Sequence, residues 1–283
     1  MVTTPTTITL GETAERLGVH YMTAYRYVRT GRLPAQKVGQ EWQVRERDIE
    51  AFLQERPDSP TPARTRGTRT REYPRRLLER LITGDEAGAW AVVEAAMSGG
   101  MSPDEVYLDL LAPALETVGR RWESGDLSIA EEHQASAVVL RLIGRLGPRF
   151  ARRGRKRGTM LLGAPPHDVH GIPTALMGDL LRGQSFQVID LGADVPAESW
   201  RSTAAGADQL LAVGICASTP ANDDRIREAI SAIREATPAP VVLGGNGVAS
   251  AEEALALGAT AYSASFTEAV ELLGRYATGR AAS

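Results

Sequence analysis

Asp168 and His170 lie two positions apart in the segment LLGAPPHDVHGIP, directly after a short apolar run. Imidazole is a common metal ligand, and a carboxylate that accepts from its other ring nitrogen fixes the tautomer and raises the ligand's basicity. The spacing therefore predicts that His170 can ligate a metal while Asp168 orients the ring. His167 is close enough in the sequence to be a rival ligand.

The pattern around these residues predicts a doubly wound parallel sheet. From Thr159 onward, short apolar runs alternate with amphipathic helical segments, which is typical of strands covered by helices on both faces. Asp168 and His170 then follow the first strand, at the carboxyl edge where such sheets bind ligands.

The preceding segment, residues 77–150, has apolar residues at helical spacing with Gly, Ser and Pro interruptions, and it predicts four helices of bundle length. Nine residues separate Trp122 from the pair Glu132-His133 in this segment. Taken alone, such a Trp is an ordinary core residue and such a pair an exposed helix end.

Charge is divided unevenly along the 283 residues. Residues 1–76 carry 14 Lys and Arg against 9 Asp and Glu, whereas residues 77–283 carry 18 against 26. This asymmetry predicts a basic head that contacts polyanions, joined to an acidic body with another role. Residues 57–76 are rich in Pro, Ser, Thr and Arg and are predicted to form a linker. The segment RFARRGRKR at 149–157 is a second basic interruption of the pattern.

The composition also narrows the class of protein. We expect a cytoplasmic protein, because no long apolar window and no signal-peptide pattern are present. The single cysteine, Cys216, rules out an internal disulfide or a multi-thiolate zinc site.

The first 56 residues predict a winged helix-turn-helix. Thr9 and Glu12 form a capping box, KVGQEWQV predicts a two-strand wing and RERDIEAFL a closing helix. The head resembles the MerR superfamily in its short, excisionase-like form, which implies contact with double-stranded DNA and a nucleoid-associated location. The expected DNA contacts on the second helix are His20, Tyr21, Thr23, Tyr25, Arg26 and Arg29.

The sheet segment resembles the cobalamin-binding fold of methionine synthase and methylmalonyl-CoA mutase, through DVHGIP, CAS at 216–218 and the glycine pair at 244–245. The resemblance implies that His170 ligates cobalt from below. Pro173 stands at the family's final glycine and Cys216 at its serine, so Ser218 or Thr219 would supply the anchoring hydroxyl. The expected cofactor-binding residues of the sheet segment are Asp168, His170, Cys216, Ser218, Thr219, Gly244 and Gly245.

The segment WESGDLSIAEEH resembles the corresponding sequence of the CarH-type light-sensing cobalamin repressors. The resemblance implies that Trp122 packs over the adenosyl group of adenosylcobalamin, with Glu132 and His133 close by. Members of that family have a histidine directly after the tryptophan, and here Glu123 occupies that place. His133 or His167 would have to replace it.

The predicted fold is multi-domain, with an all-α winged helix-turn-helix head, a four-helix bundle and an α/β doubly wound (Rossmann-like) cobalamin-binding-type domain. The expected boundaries are 1–56 for the head, 57–76 for the linker, 77–150 for the bundle cap and 151–283 for the sheet domain.

The leading hypothesis is a non-enzymatic transcriptional regulator, a repressor, that binds operator DNA as a homo-oligomer (dimer or tetramer) under control of adenosylcobalamin and light. No membrane partner is expected. One alternative keeps the regulator but replaces the cofactor with a bilin, haem, another small molecule or none. The other is a corrinoid carrier subunit of a methyltransferase, which would need a partner's active site.

Overall fold

The computed structural model describes residues 7–17, 24, 27–28, 33–38, 41–54, 66–219 and 222–276. The chain divides into two compact units, Met1–Thr65 and Arg66–Ser283. Within the described ranges, no helix combines the length and the apolar character needed to cross a membrane.

The first unit is built on a three-stranded antiparallel sheet with the order β1-β3-β2. The sheet makes the expected all-α label of the head wrong, because the predicted wing strands β2 and β3 are joined by a further strand, β1. The elements described are β1 (Thr7–Thr9), α1 (Leu10–Leu17), β2 (Ala35–Val38), β3 (Glu41–Arg45) and α2 (Glu46–Gln54).

The predicted capping box at the start of α1 is present. The Glu12 carboxylate accepts the Thr9 N–H at 2.8 Å, and the Thr9 hydroxyl accepts the Glu12 N–H at 3.3 Å. Leu10 and Ala14 of α1 are buried together with Ala24 and Val28, as the helix-turn-helix pattern predicts.

The second unit begins with four helical rods. The third rod contains a π-helical turn, Tyr107–Leu111, between two α-helical parts. The rods are α3 (Arg66–Ile82), α4 (Glu86–Ser98), α5 to α6 (Pro103–Val106 and Ala112–Glu123) and α7 (Ile129–Leu146), which a 3-10 turn (Gly147–Phe150) follows.

The linker predicted over residues 57–76 is wrong in its second half, because α3 begins at Arg66. Tyr73 explains why helix continues there: its ring is 7% exposed, and its hydroxyl donates to the Ala95 carbonyl at 3.2 Å. The surrounding arginines make this stretch resemble a linker in composition, although Tyr73 is a buried residue of a helix.

The rest of the second unit is the predicted parallel sheet, with the order β5-β4-β6-β7-β8. All four neighbouring pairs are parallel. The elements are β4 (Thr159–Gly163), α8 (Ile172–Gly183), β5 (Gln187–Asp190), α9 (Ala197–Gly206), β6 (Leu210–Cys216), α10 (Asp223–Ala236), β7 (Val241–Gly244), α11 (Ala251–Ala256), β8 (Ala261–Ser263) and α12 (Phe266–Tyr276).

One hydrophobic core runs from the bundle into the sheet. At their junction the Tyr107 hydroxyl donates to Asp179 Oδ2 at 2.8 Å, and Asp179 Oδ1 accepts from Arg182 at 3.0 Å. Burial and the neighbouring Asp179 carboxylate raise the pKa of Tyr107. The phenol therefore stays protonated and joins α8 to the π-turn of the bundle.

We expect Tyr107→Phe to lower the free energy of unfolding by about 1.5–3 kcal/mol, because the buried Asp179 carboxylate loses a hydrogen-bond donor. Urea denaturation followed by circular dichroism measures the loss. The control is Tyr73→Phe, whose hydroxyl contacts only a neutral carbonyl and should cost about 1 kcal/mol. An equal or smaller cost for Tyr107→Phe would contradict the proposed junction.

Candidate functional site

Asp168 is a fully buried carboxylate in the loop between β4 and α8. Its Oδ1 accepts from His170 Nδ1 at 2.7 Å and from the His170 N–H at 3.1 Å. Its Oδ2 accepts the N–H groups of Ser218 at 2.6 Å and Thr219 at 3.0 Å. One side chain thus ties together the loops that follow β4 and β6.

These hydrogen bonds set the charge state of the pair. Burial alone would raise the pKa of Asp168, but donation from the His170 side chain and from the Ser218 and Thr219 amides lowers it below the ordinary value. The pKa of His170 is raised, first by its hydrogen bond to Asp168 and to a smaller degree by the charge of Glu132. Asp168 is therefore an anion that holds a proton on His170 Nδ1.

The His170 ring is fixed at one nitrogen and open at the other. Its side chain is 53% exposed, although its Asp168 partner is 0% exposed. With Nδ1 on the carboxylate, Nε2 is the nitrogen left for a ligand, as in the histidine ligands of many metal sites. The neighbouring Val169 side chain is also exposed.

The loop that carries His170 is held by further hydrogen bonds. The His167 N–H donates to Asp194 Oδ1 at 2.7 Å, and the Asp194 N–H donates to the Asp168 carbonyl at 2.7 Å. Asn222 donates to the Pro166 carbonyl at 3.0 Å. His167 has a positive φ of 66° and, within the part of the chain described, no carboxylate on its ring. It therefore lacks the orienting partner that His170 has.

The bundle contributes a polar end to the same region. Glu132, in the first turn of α7, accepts from the Ser136 hydroxyl at 2.6 Å and lies 2.5 Å from His133 Nδ1. The start of α7 is near enough to the loop after β4 for the Glu132 charge to contribute to the raised pKa of His170. The His133 side chain is 73% exposed.

Two large apolar side chains of the bundle are exposed near this end. Trp122, in the last turn of α6, is 46% exposed, and Ile129, the first residue of α7, is 63% exposed. The turn between them is anchored by Leu127, which is buried and donates its N–H to the Arg121 carbonyl. The bundle therefore presents apolar surface beside the polar residues Glu132 and His133.

The glycine pair at the end of β7, Gly244 and Gly245, is required by the protein's own backbone. A Cβ on Gly245, whose φ is +110°, would lie 2.2 Å from the Ala217 carbonyl oxygen. A Cβ on Gly244 would lie 2.8 Å from the Ser263 carbonyl oxygen, and one on Gly247 would lie 2.6 Å from that of Thr219. Gly247 was not among the residues expected from the sequence, although it is the last glycine of the motif GGNG.

Cys216 ends β6 beside Gly244 of β7. Burial, followed by the charges of Asp190 and Asp168, raises the pKa of its thiol to about 12. The thiol is therefore neutral and is neither a nucleophile nor a thiolate ligand.

Pro173 is compatible with the helix it enters. It follows Ile172, the first residue of α8, where N–H groups have no partner within the helix, so no intrahelical bond is lost. The Ala175 N–H donates to the Gly171 carbonyl at 3.2 Å, which closes the first turn. No group of three or more His, Cys, Asp and Glu side chains within the described ranges is placed to hold a bare metal ion.

The six residues expected to contact DNA lie outside the described residues: His20, Tyr21, Thr23, Tyr25, Arg26 and Arg29. Their contacts with DNA remain a prediction.

Three parts of the chain match known domain families. Residues 7–57 match a helix-turn-helix domain, and residues 74–146 and 158–273 each match a B12 binding domain. The chain thus combines a match to a helix-turn-helix domain with two matches to B12 binding domains. The latter two matches support a cobalamin-type cofactor.

Individual relatives are of two kinds. The chain is 25% identical over 202 residues to a corrinoid protein of Desulfitobacterium hafniense, across 69% of this chain and 93% of that protein. It is 34% identical over 151 residues to the HTH-type transcriptional repressor CarH of Myxococcus xanthus, across 51% of this chain and 48% of that protein. The solved monomethylamine corrinoid protein of Methanosarcina barkeri has the same fold over 71% of this chain and 97% of its own, with 20% identity and a TM-score of 0.59.

We expect Asp168→Asn to destabilise the protein by about 1.5–3 kcal/mol, because an amide cannot accept on both sides and its NH2 group would face N–H donors. Thermal and urea denaturation measure the change. Asp194→Asn is the matched control, since among the described residues the Asp194 side chain accepts one hydrogen bond, whereas that of Asp168 accepts four. Similar costs for the two variants would contradict the central place given to Asp168.

We also expect Cys216 to resist thiol reagents in the folded protein, because a pKa of about 12 leaves almost no thiolate at pH 8. Since Cys216 is the only cysteine, the rate of Ellman's reaction reports on this thiol alone. The rate should be at least a hundredfold higher in denaturant. Equal rates in the folded and unfolded protein would contradict the raised pKa of this thiol.

Proposed function

We propose that this chain is a DNA-binding transcriptional regulator, a repressor, that holds adenosylcobalamin between bundle and sheet and responds to light. The observation that carries the proposal is the Asp168–His170 pair, which lies at the ligand edge of the sheet within reach of the charge of Glu132. The helix-turn-helix match at residues 7–57, in the same chain as both B12 domains, supports the regulatory role.

The residues present fit a corrinoid. A bound corrinoid would bring a cobalt ion already held by its own ring, which needs only an added nitrogen ligand from the protein, and an organometallic bond that light can cleave. One oriented imidazole is therefore sufficient, and His170 is that imidazole. The exposed apolar side chains of Trp122, Ile129 and Val169 fit the same assignment, because they would be covered by a large flat ligand.

Each residue of the site has a separate task in this proposal. Asp168 keeps the proton on His170 Nδ1, so that Nε2 carries the free lone pair. Trp122 excludes water from the bundle side of the pocket. The Ser218 and Thr219 hydroxyls make no hydrogen bond within the described residues, so either can anchor the nucleotide tail in place of the family's serine.

The bundle offers one described imidazole, His133, to the upper side of the site. Glu123 follows Trp122, and its carboxylate has no nitrogen to replace the histidine found there in CarH-type proteins. We assign the upper role to His133 rather than to His167, because His167 shares a short loop with His170.

The signal would reach DNA through assembly. A ligand that favours one arrangement of the bundle against the sheet shifts the population toward that arrangement. If that arrangement determines how many helix-turn-helix heads are held together in a homo-oligomer, dissociation would lower the affinity for DNA by about 10²–10⁴-fold through loss of avidity.

A corrinoid carrier subunit of a methyltransferase is the second candidate. The relative from Desulfitobacterium hafniense favours it, because this chain covers 93% of that corrinoid protein. That candidate leaves the helix-turn-helix match at residues 7–57 without a role.

The test is the absorption spectrum after dark incubation with adenosylcobalamin and desalting, repeated after green illumination. Corrinoid bands should be retained in the dark and shift in the light. His170→Ala should lower corrinoid affinity at least tenfold, whereas His167→Ala is the matched control and should retain it. A colourless wild-type protein would contradict the cofactor assignment, and undiminished affinity of His170→Ala would contradict the ligand assignment.

The same samples should be tested for binding to promoter DNA in the dark and after illumination. A repressor should shift the DNA in the dark and release it in the light. Light-dependent spectra without any DNA shift would favour the carrier candidate.

A further inference from the structure

Residues 149–157, here called the basic strip, contain six Arg and Lys in nine positions, in a part of the chain that is otherwise strongly acidic. They connect the last helical turn of the bundle to β4. The six cationic residues are all exposed. Within the part of the chain that the structure describes, none of them forms a salt bridge, although the charge of Arg152 acts on the Asp104 carboxylate. The charge of the other five residues is available to a partner.

The basic strip has a fixed shape. The Arg157 N–H donates to the Ser185 carbonyl at 3.0 Å, and its guanidinium lies 4.3 Å from the centre of the Phe186 ring. Arg152 Nε donates to the Gly183 carbonyl at 3.0 Å, and Lys156 Nζ donates to the Arg152 carbonyl at 2.7 Å. A preordered cationic strip loses less entropy on binding than a disordered one.

Three of the six residues have no structural task that the described residues show. Arg149, Arg153 and Arg155 make no hydrogen bond or ion pair there, whereas Arg152 and Arg157 fix the strip itself. Three long, exposed cations on a fixed backbone are the kind of group that contacts phosphates.

The strip lies at the opposite end of the sheet from the cofactor site. Arg157 is two residues before β4 and contacts the chain just before β5, so the strip is at the edge where the parallel strands begin. Asp168 and His170 follow the end of β4. A partner bound to the strip therefore leaves the ligand edge free.

We infer that the basic strip is a second DNA-contacting surface, which binds the phosphate backbone of double-stranded DNA without reading its sequence. The inference rests on the proposed function for the choice of duplex DNA as the partner. It adds an attachment point on the acidic body, separate from the helix-turn-helix head. It gives the body a net attraction for DNA that its overall charge would otherwise oppose.

The test compares two triple variants of the full-length protein. In the strip variant, Arg149→Gln, Arg153→Gln and Arg155→Gln remove three charges without touching the contacts of Arg152, Lys156 or Arg157. The control variant is Arg201→Gln, Arg225→Gln and Arg227→Gln. It removes the same net charge from arginines that are paired with carboxylates.

Fluorescence anisotropy with a labelled duplex that lacks an operator gives the affinity over a series of salt concentrations. Each lost phosphate contact should reduce the slope of log K against log salt by about 0.9, so the strip variant should lose about 2–3 in slope. The control variant should keep the wild-type slope. Equal slopes for all three proteins, or no duplex binding by the wild type, would overturn the inference.

Two further measurements separate the possible outcomes. Retention of adenosylcobalamin by the strip variant checks that it is folded, and failure of the wild type to bind the cofactor counts against the proposed function but not against the strip. Binding to anionic vesicles is measured in parallel. If the strip variant loses vesicle binding and keeps the wild-type salt slope on DNA, the partner is a membrane surface and the inference is wrong.

Discussion

The buried carboxylate of Asp168 is the interaction on which the site depends. An anion without solvent is tolerated because two backbone N–H groups from the loop after β6 and two donors from His170 surround it. The same four bonds lower the pKa of Asp168, so that it remains charged and keeps the His170 ring in one tautomer. The stability of the sheet's ligand edge and the chemistry of its imidazole thus have one cause.

The position of the bundle follows from a second buried polar contact. Tyr107 lies in a π-helical turn and donates to Asp179 on α8, inside a hydrophobic core that the bundle and the sheet share. A core shared in this way fixes the start of α7, and therefore Glu132, relative to His170. The opposite edge of the sheet carries the basic strip, so the proposed cofactor and the inferred DNA contact would occupy different edges of one sheet.

Much of this architecture could be predicted from the sequence, because it depends on the periodicity of the hydrophobic residues and on the positions of the glycines. The parallel strands follow from near-continuous apolar runs, and the capping box at Thr9 follows from residue types alone. The start of α3 could not be predicted, because Tyr73 packs within a stretch rich in Arg and Pro. The contacts of Asp168 with the Ser218 and Thr219 amides could not be predicted either, since a sequence does not show which backbone N–H groups donate to a side chain. The reason for Gly245 is steric approach to Ala217 rather than room for a ligand.

The role proposed for His170 is to supply a nitrogen ligand to the cobalt of a bound corrinoid. Electron paramagnetic resonance of the loaded protein, with cobalt reduced to Co(II) and the protein labelled with ¹⁵N-histidine, tests it directly. If His170 has this role, the nitrogen splitting of the cobalt lines changes from triplets to doublets on labelling and is lost in His170→Ala. Triplets that persist with labelled histidine would show that the cofactor keeps its own base, and would contradict the claim.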